Sequence, residues 1–288
     1  MNNPKANSVD SIINYLSQRN YSFGNGELSP TEIKQIKKQS KDSRGTYGVT
    51  APIGTNIFSL MEQNDDIVFQ LQDFKNSELD AMIIKYSLKS QKKYIIINSD
   101  KPLINQVFAA AHEFYHYLFS FTGNTKDSIV CSFSKNDIEE IKANRFAAEF
   151  LLPEEALKRE LEDFFKYYSN FENAPLHKQI FFCFYLVEKY TIPLKATFYR
   201  LKEEKITSTD FLLDHYADVK TILLDIFNDI PRTKELYSKN NNYIREPLYD
   251  LIPLLYNKGR LDESTVKKLI KEFCLSEKQI KEALAPDE

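Results

Sequence analysis

Apolar positions along the chain change period several times, and each change predicts an element. Leu103, Ile104, Val107, Phe108, Ala111, Tyr115, Leu118 and Phe119 recur every three or four residues, the spacing of one helix face. Just before them, Tyr94-Ile95-Ile96-Ile97-Asn98 is a short β-branched run that reads as a strand, and Ser99-Asp100-Lys101-Pro102 reads as a turn into the helix. Ile67 to Leu71 and Ala81 to Tyr86 are two further strand candidates. The pattern is otherwise helical. A short amphipathic helix is expected over 8–18. A second should open at Ser29-Pro30-Thr31-Glu32, with Ser as N-cap and Pro at the first helical position, and run to about Lys41. Residues 42–56 hold Gly45, Gly48, Pro52 and Gly54 in a Ser/Thr-rich stretch and read as a loop. Helices are expected from about Asn136 to Leu152, stopped by Pro153, then again after Pro153, over 176–190 and over 194–205, with Thr191-Ile192-Pro193 as the break. From 209 onward the pattern stays helical, with Asp262 or Ser264 capping a helix that carries Val266, Leu269, Ile270 and Phe273.

The expected fold class is therefore α+β and mainly helical, with a small β-sheet packed on the 103–119 helix and an additional helical C-terminal region. We expect an N-terminal helical region over 1–50, a central domain over 57–205 and a C-terminal helical domain over 206–288. Composition agrees with a packed body: of 288 residues 42% are hydrophobic, including 21 Phe and 17 Tyr, while Gly numbers only 7. A net charge of −3 gives no global attraction to phosphate backbones or anionic membranes. Lys34, Lys37, Lys38, Lys41 and Arg44 make the second helix locally basic, which reads as a solvated face rather than a nucleic-acid contact. No run approaches 18 apolar residues and the first residues lack an apolar signal core, so neither membrane spanning nor secretion is expected. Cys131, Cys183 and Cys274 are odd in number and lack C-x-x-C spacing, which suggests no disulfide framework and no thiolate metal site. A reducing cytoplasm is the expected compartment.

Within the 103–119 helix stands His112-Glu113-Phe114-Tyr115-His116. Residues four apart share a helix face, so both imidazoles can converge on one divalent metal while Glu113 stands beside the metal-bound water. This is the HExxH constellation of zinc hydrolases, in which Zn²⁺ is the expected cofactor and Glu113 the general base. A tetrahedral catalytic zinc needs a third protein ligand and one open position. Tyr117 to Thr122 supply neither Gly nor a third His, which excludes the metzincin arrangement. A carboxylate on a second helix remains, and Glu139-Glu140 offers two. An oxyanion donor is needed as well. Tyr115, Arg145, His177 and His215 are the candidates, with an ordinary structural role favoured for the last two.

Glu140, Ala143, Asn144, Phe146, Ala147, Ala148, Leu151, Leu152 and Pro153 form a second signature, with Phe150 at a variable position. Together with HExxH it resembles the ImmA/IrrE family of metallopeptidases. The resemblance covers about 60–205, including Ala196 to Lys202, and leaves 1–50 and 210–288 uncovered. It implies metal ligation by His112, His116 and Glu140. Members often carry a second Glu directly before the Ala-Asn pair, where this chain has Lys142, so the carboxylate role falls to Glu140, with Glu139 as the alternative. It further implies a zinc endopeptidase whose protein substrate is a helix-turn-helix transcriptional repressor, cleaved to derepress mobile-element or stress genes. Substrate is expected to lie as an extra strand on the sheet edge. The competing expectation is a non-catalytic regulatory module that keeps the fold as a binding surface, as in a toxin–antitoxin-like pair. The 176–205 helix pair can imitate a helix-turn-helix, but Phe181, Phe182, Phe184, Leu186 and Val187 read as packing residues. Direct nucleic-acid binding is not expected.

Overall fold

The computed structural model describes residues 28–50, 52–74, 79–85, 92–120, 138–208, 210–239 and 246–272, with 280 and 284. It is mainly helical with one three-stranded sheet among the described residues. The helix expected over 8–18 lies outside them. Two compact units divide the chain, 1–239 and 240–288.

Helix α1 (Pro30–Thr46) begins as its sequence dictates. Ser29 accepts from the Glu32 backbone N–H while the Glu32 carboxylate accepts from the Ser29 N–H, a reciprocal capping box with Pro at the first helical position. It runs past Lys41 into the stretch read as loop. Buried Ile36, Ser40 and Ser43 continue one inward face, and Arg44 donates to the Phe150 carbonyl at 2.6 Å, so tertiary contacts carry the helix through Gly45. Gly48, at φ +65°, ends the segment. A second departure follows: Asn56–Glu62 is a seven-residue helix, α2, that buries Ile57, Phe58, Leu60 and Met61. So short an apolar run carries too little periodicity to announce a helix.

The three strands β1 (Ile67–Gln72), β2 (Ala81–Lys85) and β3 (Lys93–Asn98) fall where the β-branched runs predict. β3 is central, parallel to β1 (Ile67 opposite Lys93) and antiparallel to β2 (Ile83 opposite Ile95). Asn98 ends β3 and is wholly buried. Its amide donates to the Leu79 carbonyl at 2.8 Å, and its side-chain oxygen accepts from the N–H groups of Phe74 and Asp100, fixing the turn that launches the next helix.

That helix, α3 (Leu103–Tyr115), is buried almost all round and continues into one π-helical turn, His116–Ser120. It packs on the sheet and against α4 (Ile138–Leu151), itself buried from Ala143 to Leu151. Rings lock the two together: Phe114 meets Phe150 at 5.8 Å, Tyr115 meets Phe146 at 5.5 Å, and Phe146 meets Phe150 at 5.4 Å. α5 (Glu154–Phe165), α6 (Leu176–Tyr190) and α7 (Leu194–Glu203) follow, with α7 packed on both α4 and α6. On α6, Phe182, Phe184, Leu186 and Val187 are buried, as packing residues should be, while Phe181 is part-exposed and meets Phe227 at 5.7 Å. α8 (Phe211–Asp214), α9 (Tyr216–Phe227) and α10 (Pro231–Tyr237) complete the unit, and the Ser238 carbonyl accepts from the Leu103 N–H at 2.9 Å. The C-terminal end of α10 thereby caps the start of α3.

In the second unit, α11 (Glu246–Asn257) and α12 (Glu263–Glu272) share a small core of Ile252, Val266 and Ile280. Asp262 caps α12, accepting from the Thr265 N–H at 2.7 Å.

A buried ion cluster ties α4 to α7 and α1. Arg200, with no exposed surface, reaches Glu149 at 3.1 Å and Glu204 at 2.6 Å; Arg145 reaches the same two at 3.2 and 2.9 Å; Lys37 meets Glu204 at 2.7 Å. Burial opposes the Glu204 charge, yet Arg200 and Lys37 hold its carboxyl below the usual range. Removing one member strands the others in low dielectric. Arg200→Ala should therefore lower the unfolding free energy by about 3–5 kcal/mol, read by chemical denaturation. Lys41→Ala, which breaks only the exposed pair with Glu155, should leave the transition unmoved.

Candidate metal centre

α3 and α4 bring three side chains to one buried point. His112 Nε2 lies 3.1 Å from Glu140 Oε2, His116 Nε2 lies 3.2 Å from Glu140 Oε1, and the two Nε2 atoms are 3.2 Å apart. All three residues are less than a tenth exposed, and they are the metal-capable cluster found among the described residues. In a tetrahedral site with bonds of ~2.0–2.1 Å, neighbouring ligand atoms sit about 3.3 Å apart. The two nitrogens are separated by close to that edge, and each meets a different oxygen of Glu140 at a similar distance.

Each imidazole is aimed from behind. His112 Nδ1 donates to the Asn144 side-chain oxygen at 3.0 Å, which turns the Nε2 lone pair toward Glu140 and His116. Ser120 Oγ stands 3.0 Å from His116 Nδ1, and the π-helical turn is what delivers it there. Glu140 and Asn144 are one turn apart on α4, so one helix face supplies both the carboxylate and the partner of a histidine. Glu139 faces elsewhere, accepting from Tyr115 Oη at 3.2 Å and pairing with Lys142 at 2.9 Å. The alternative carboxylate is thus engaged outside the cluster.

Two imidazole lone pairs and a carboxylate converging in the interior repel one another until a cation separates them. With no metal bound, a proton takes that part. Burial alone would lower the His112 pKa, but the adjacent Glu140 carboxylate overrides it and raises it to about 9. Burial likewise works against the Glu140 charge, and His112 with His116 pulls its pKa down to about 2. Two nitrogens and an oxygen suit a first-row transition ion far better than Mg²⁺ or Ca²⁺. The residues fit the metal that HExxH implies.

A cavity of about 200 Å³ opens beside the cluster, lined by His112, Glu113 and Asn144, by Asp80, Ala81, Asn105 and Phe108, and by Pro193, Lys195 and Tyr216. Glu113 is itself buried. Ala81 opens β2, an outer strand of the sheet among the described residues, so this cavity borders that edge. None of the four oxyanion candidates lines it. Tyr115 is turned to Glu139, Arg145 sits in the ion cluster, His177 is exposed near Phe181, and His215 is exposed, stacked on Phe211 at 4.3 Å. The residue after His215 is the one that reaches the cavity. No local signal marks Tyr216 or Lys195, because both arrive from segments distant in sequence.

A buried two-histidine, one-carboxylate centre on paired helices beneath a small mixed sheet defines a metallopeptidase-type fold. Residues 63–202 match the family model described as Peptidase_M78, IrrE N-terminal-like domain, and through this domain the chain belongs to that family. No curated protein matches the chain. Among solved structures it is similar to a Mycobacterium tuberculosis transcriptional regulator, at 15% identity and a TM-score of 0.39, over 58% of this chain and 46% of that one. The chain thus spans under half the length of that regulator. Among the described residues, no helix is long and apolar enough to cross a membrane.

Two outcomes are expected of the centre. Asn144→Ala should weaken metal affinity by about 10–100-fold with the circular dichroism unchanged, measured by competition against a chromophoric chelator. In metal-free protein, the raised His112 pKa stabilises the fold fully below pH 6.5 and loses that contribution as pH climbs through 9; the lowered Glu140 pKa stabilises it fully above 4.5 and loses it as pH falls through 2. The melting temperature contributed by this pair should therefore be highest between about pH 4.5 and 6.5 and should decline on both sides. Loading with metal should remove the alkaline decline, as scanning calorimetry can read.

Proposed function

We propose that the protein is a zinc-dependent endopeptidase, with His112, His116 and Glu140 holding Zn²⁺ and Glu113 as the catalytic base. The observation that carries this reading is the meeting of three buried metal-capable side chains, with one ligand atom from each within 4.8 Å of the others, beside a cavity that also holds Glu113. When bound, zinc supplies Lewis acidity, polarising a scissile carbonyl and making a bound water acidic near neutral pH. The chain's own groups do the remainder. Asn144 and Ser120 hold the two imidazoles in orientation. Glu113 takes the proton of the attacking water and returns it to the leaving amine. Among the described residues β2 is an outer strand of the sheet and its Ala81 borders the cavity, a suitable place for an extended peptide to add as a strand.

The substrate we assign is a helix-turn-helix transcriptional repressor, cleaved to derepress mobile-element or stress genes, which rests on the resemblance to the ImmA/IrrE family. The cytoplasm is the proposed site of action, consistent with a buried free thiol at Cys183. With a net charge of −3, the chain acts on the repressor protein rather than on its operator.

Purified protein should hold one zinc per chain by elemental analysis and lose it to a strong chelator. Glu113→Gln should keep that zinc and lose repressor cleavage by at least ~10²-fold, followed by mass spectrometry of the products. A Glu113→Gln protein that still performs the biological role in full would mean that the fold serves as a non-catalytic binding module.

A further inference from the structure

Addition of water to a carbonyl places negative charge on the carbonyl oxygen, and the site gains rate in proportion to how well a preset donor meets that charge. Among the side chains that line the cavity, Asn105, Asn144, Lys195 and Tyr216 carry donors. Asn144 is committed through its oxygen to orienting His112, and Asn105 precedes His112 by about two helical turns, roughly 10 Å of rise. Lys195 and Tyr216 remain.

Tyr216 is the better placed of the remaining two on chemical grounds. It is the first residue of α9, where buried Val219 and Leu223 anchor the helix, and a side chain with two torsions leaves its hydroxyl few positions to occupy. Lys195 carries its charge on a flexible four-carbon stem that must be ordered in each turnover. The Tyr216 ring is half-buried, which raises its pKa above the ordinary phenol value, so the hydroxyl keeps its proton throughout the neutral range. A neutral O–H in a partly dehydrated wall can meet an emerging negative charge without first shedding a counter-ion.

We propose that Tyr216, supplied by α9 from beyond the matched 63–202 segment, is a catalytic residue that hydrogen-bonds the oxyanion during hydrolysis. This rests on the peptidase reading. In the step envisaged, the water oxygen bonds to the carbonyl carbon, one water proton passes to Glu113, and the C=O electron pair moves onto the oxygen, where the Tyr216 hydroxyl donates a hydrogen bond without giving up its proton. Collapse restores the C=O bond, the C–N bond breaks, and the leaving nitrogen takes the proton held by Glu113. The family domain would then be an incomplete catalyst, finished by a helix outside it.

The test uses the full chain loaded with zinc and β-casein as an extended, generic substrate, with new amino termini counted over time. Tyr216→Phe should keep one zinc per chain and the wild-type melting temperature, lower kcat by about 10²–10³-fold and change KM by less than about twofold. Binding of a phosphonamidate, whose tetrahedral phosphoryl oxygen stands where the oxyanion would, should weaken by a similar factor. Tyr216→His, which restores a donor, should recover at least about tenfold over Phe. Full kcat in Tyr216→Phe, a loss expressed only in KM, loss of zinc or fold with no recovery in Tyr216→His, or a collapse of kcat in Lys195→Met with Tyr216→Phe unaffected would each overturn the assignment. Cleavage that needs Glu113 but not Tyr216 sinks this inference and leaves the peptidase reading standing. Absence of any cleavage by the zinc-loaded wild type sinks both.

Discussion

Two imidazole nitrogens 3.2 Å apart in a protein interior, each meeting a different oxygen of one buried carboxylate at 3.1 or 3.2 Å, are a standing electrostatic demand for a cation. Nothing in ordinary packing favours such a convergence, since buried polar groups are normally satisfied by donors facing acceptors. Here it is enforced from outside. The ring stack between Phe114, Tyr115, Phe146 and Phe150 clamps α3 to α4, and buried Ala111, Ala143 and Ala147 keep the paired surfaces small. Apolar burial from those rings, worth about 1.5–3 kcal/mol for each large side chain, sets the register that a lone histidine–carboxylate pair could not. The centre is a strained polar cluster carried by an apolar clamp.

The ion cluster on the far face of α4 extends the same logic. Arg145, Glu149, Arg200 and Glu204 exchange one apolar contact for several buried charges, and such exchanges are seldom net stabilising. What they confer is direction. Glu149 and Arg145 lie one turn apart on α4, and both must meet α7 at a single rotation for the pairs to close. Glu149 also accepts from the Glu154 N–H at 2.8 Å, tying the start of α5 to the same point. Fixing the rotation of α4 fixes where Glu140 and Asn144 project.

The parts of this arrangement that live in local spacing were legible in the sequence. His112 and His116 share a face because they are four apart, and the three strands and Ser29 cap announce themselves through β-branched runs and a capping box. The wider signature prefers Glu140 to Glu139; in the structure Glu140 meets both histidines, while Glu139 meets Tyr115 and Lys142. What was missed lives in tertiary contact. α1 passes through Gly45 because Arg44 is anchored on the Phe150 carbonyl, a partner more than a hundred residues away. α2 is too short for its period to show. Arg145 beside the Ala-Asn signature reads as a cationic candidate for the site, yet it points into the ion cluster, since side chains one position apart on a helix diverge by about 100°.

The segment beyond residue 202 lies outside the matched domain, yet it is structurally continuous with the candidate metal centre. The Ser238 carbonyl satisfies one of the orphan N–H groups at the start of α3, the helix that carries both histidines. Lys239 extends that seam, pairing in antiparallel fashion with Pro102 and holding Asp100 through its ammonium group. Tyr216 enters the cavity wall from the same stretch of chain. A segment that both caps the HExxH helix and lines its cavity cannot change without altering the site, so α8 to α10 give a physical route to the cavity wall. That route needs no contact with the three metal-capable side chains themselves. It acts on the shape and polarity of the wall, while the helix pair holds the His112, His116 and Glu140 cluster in place.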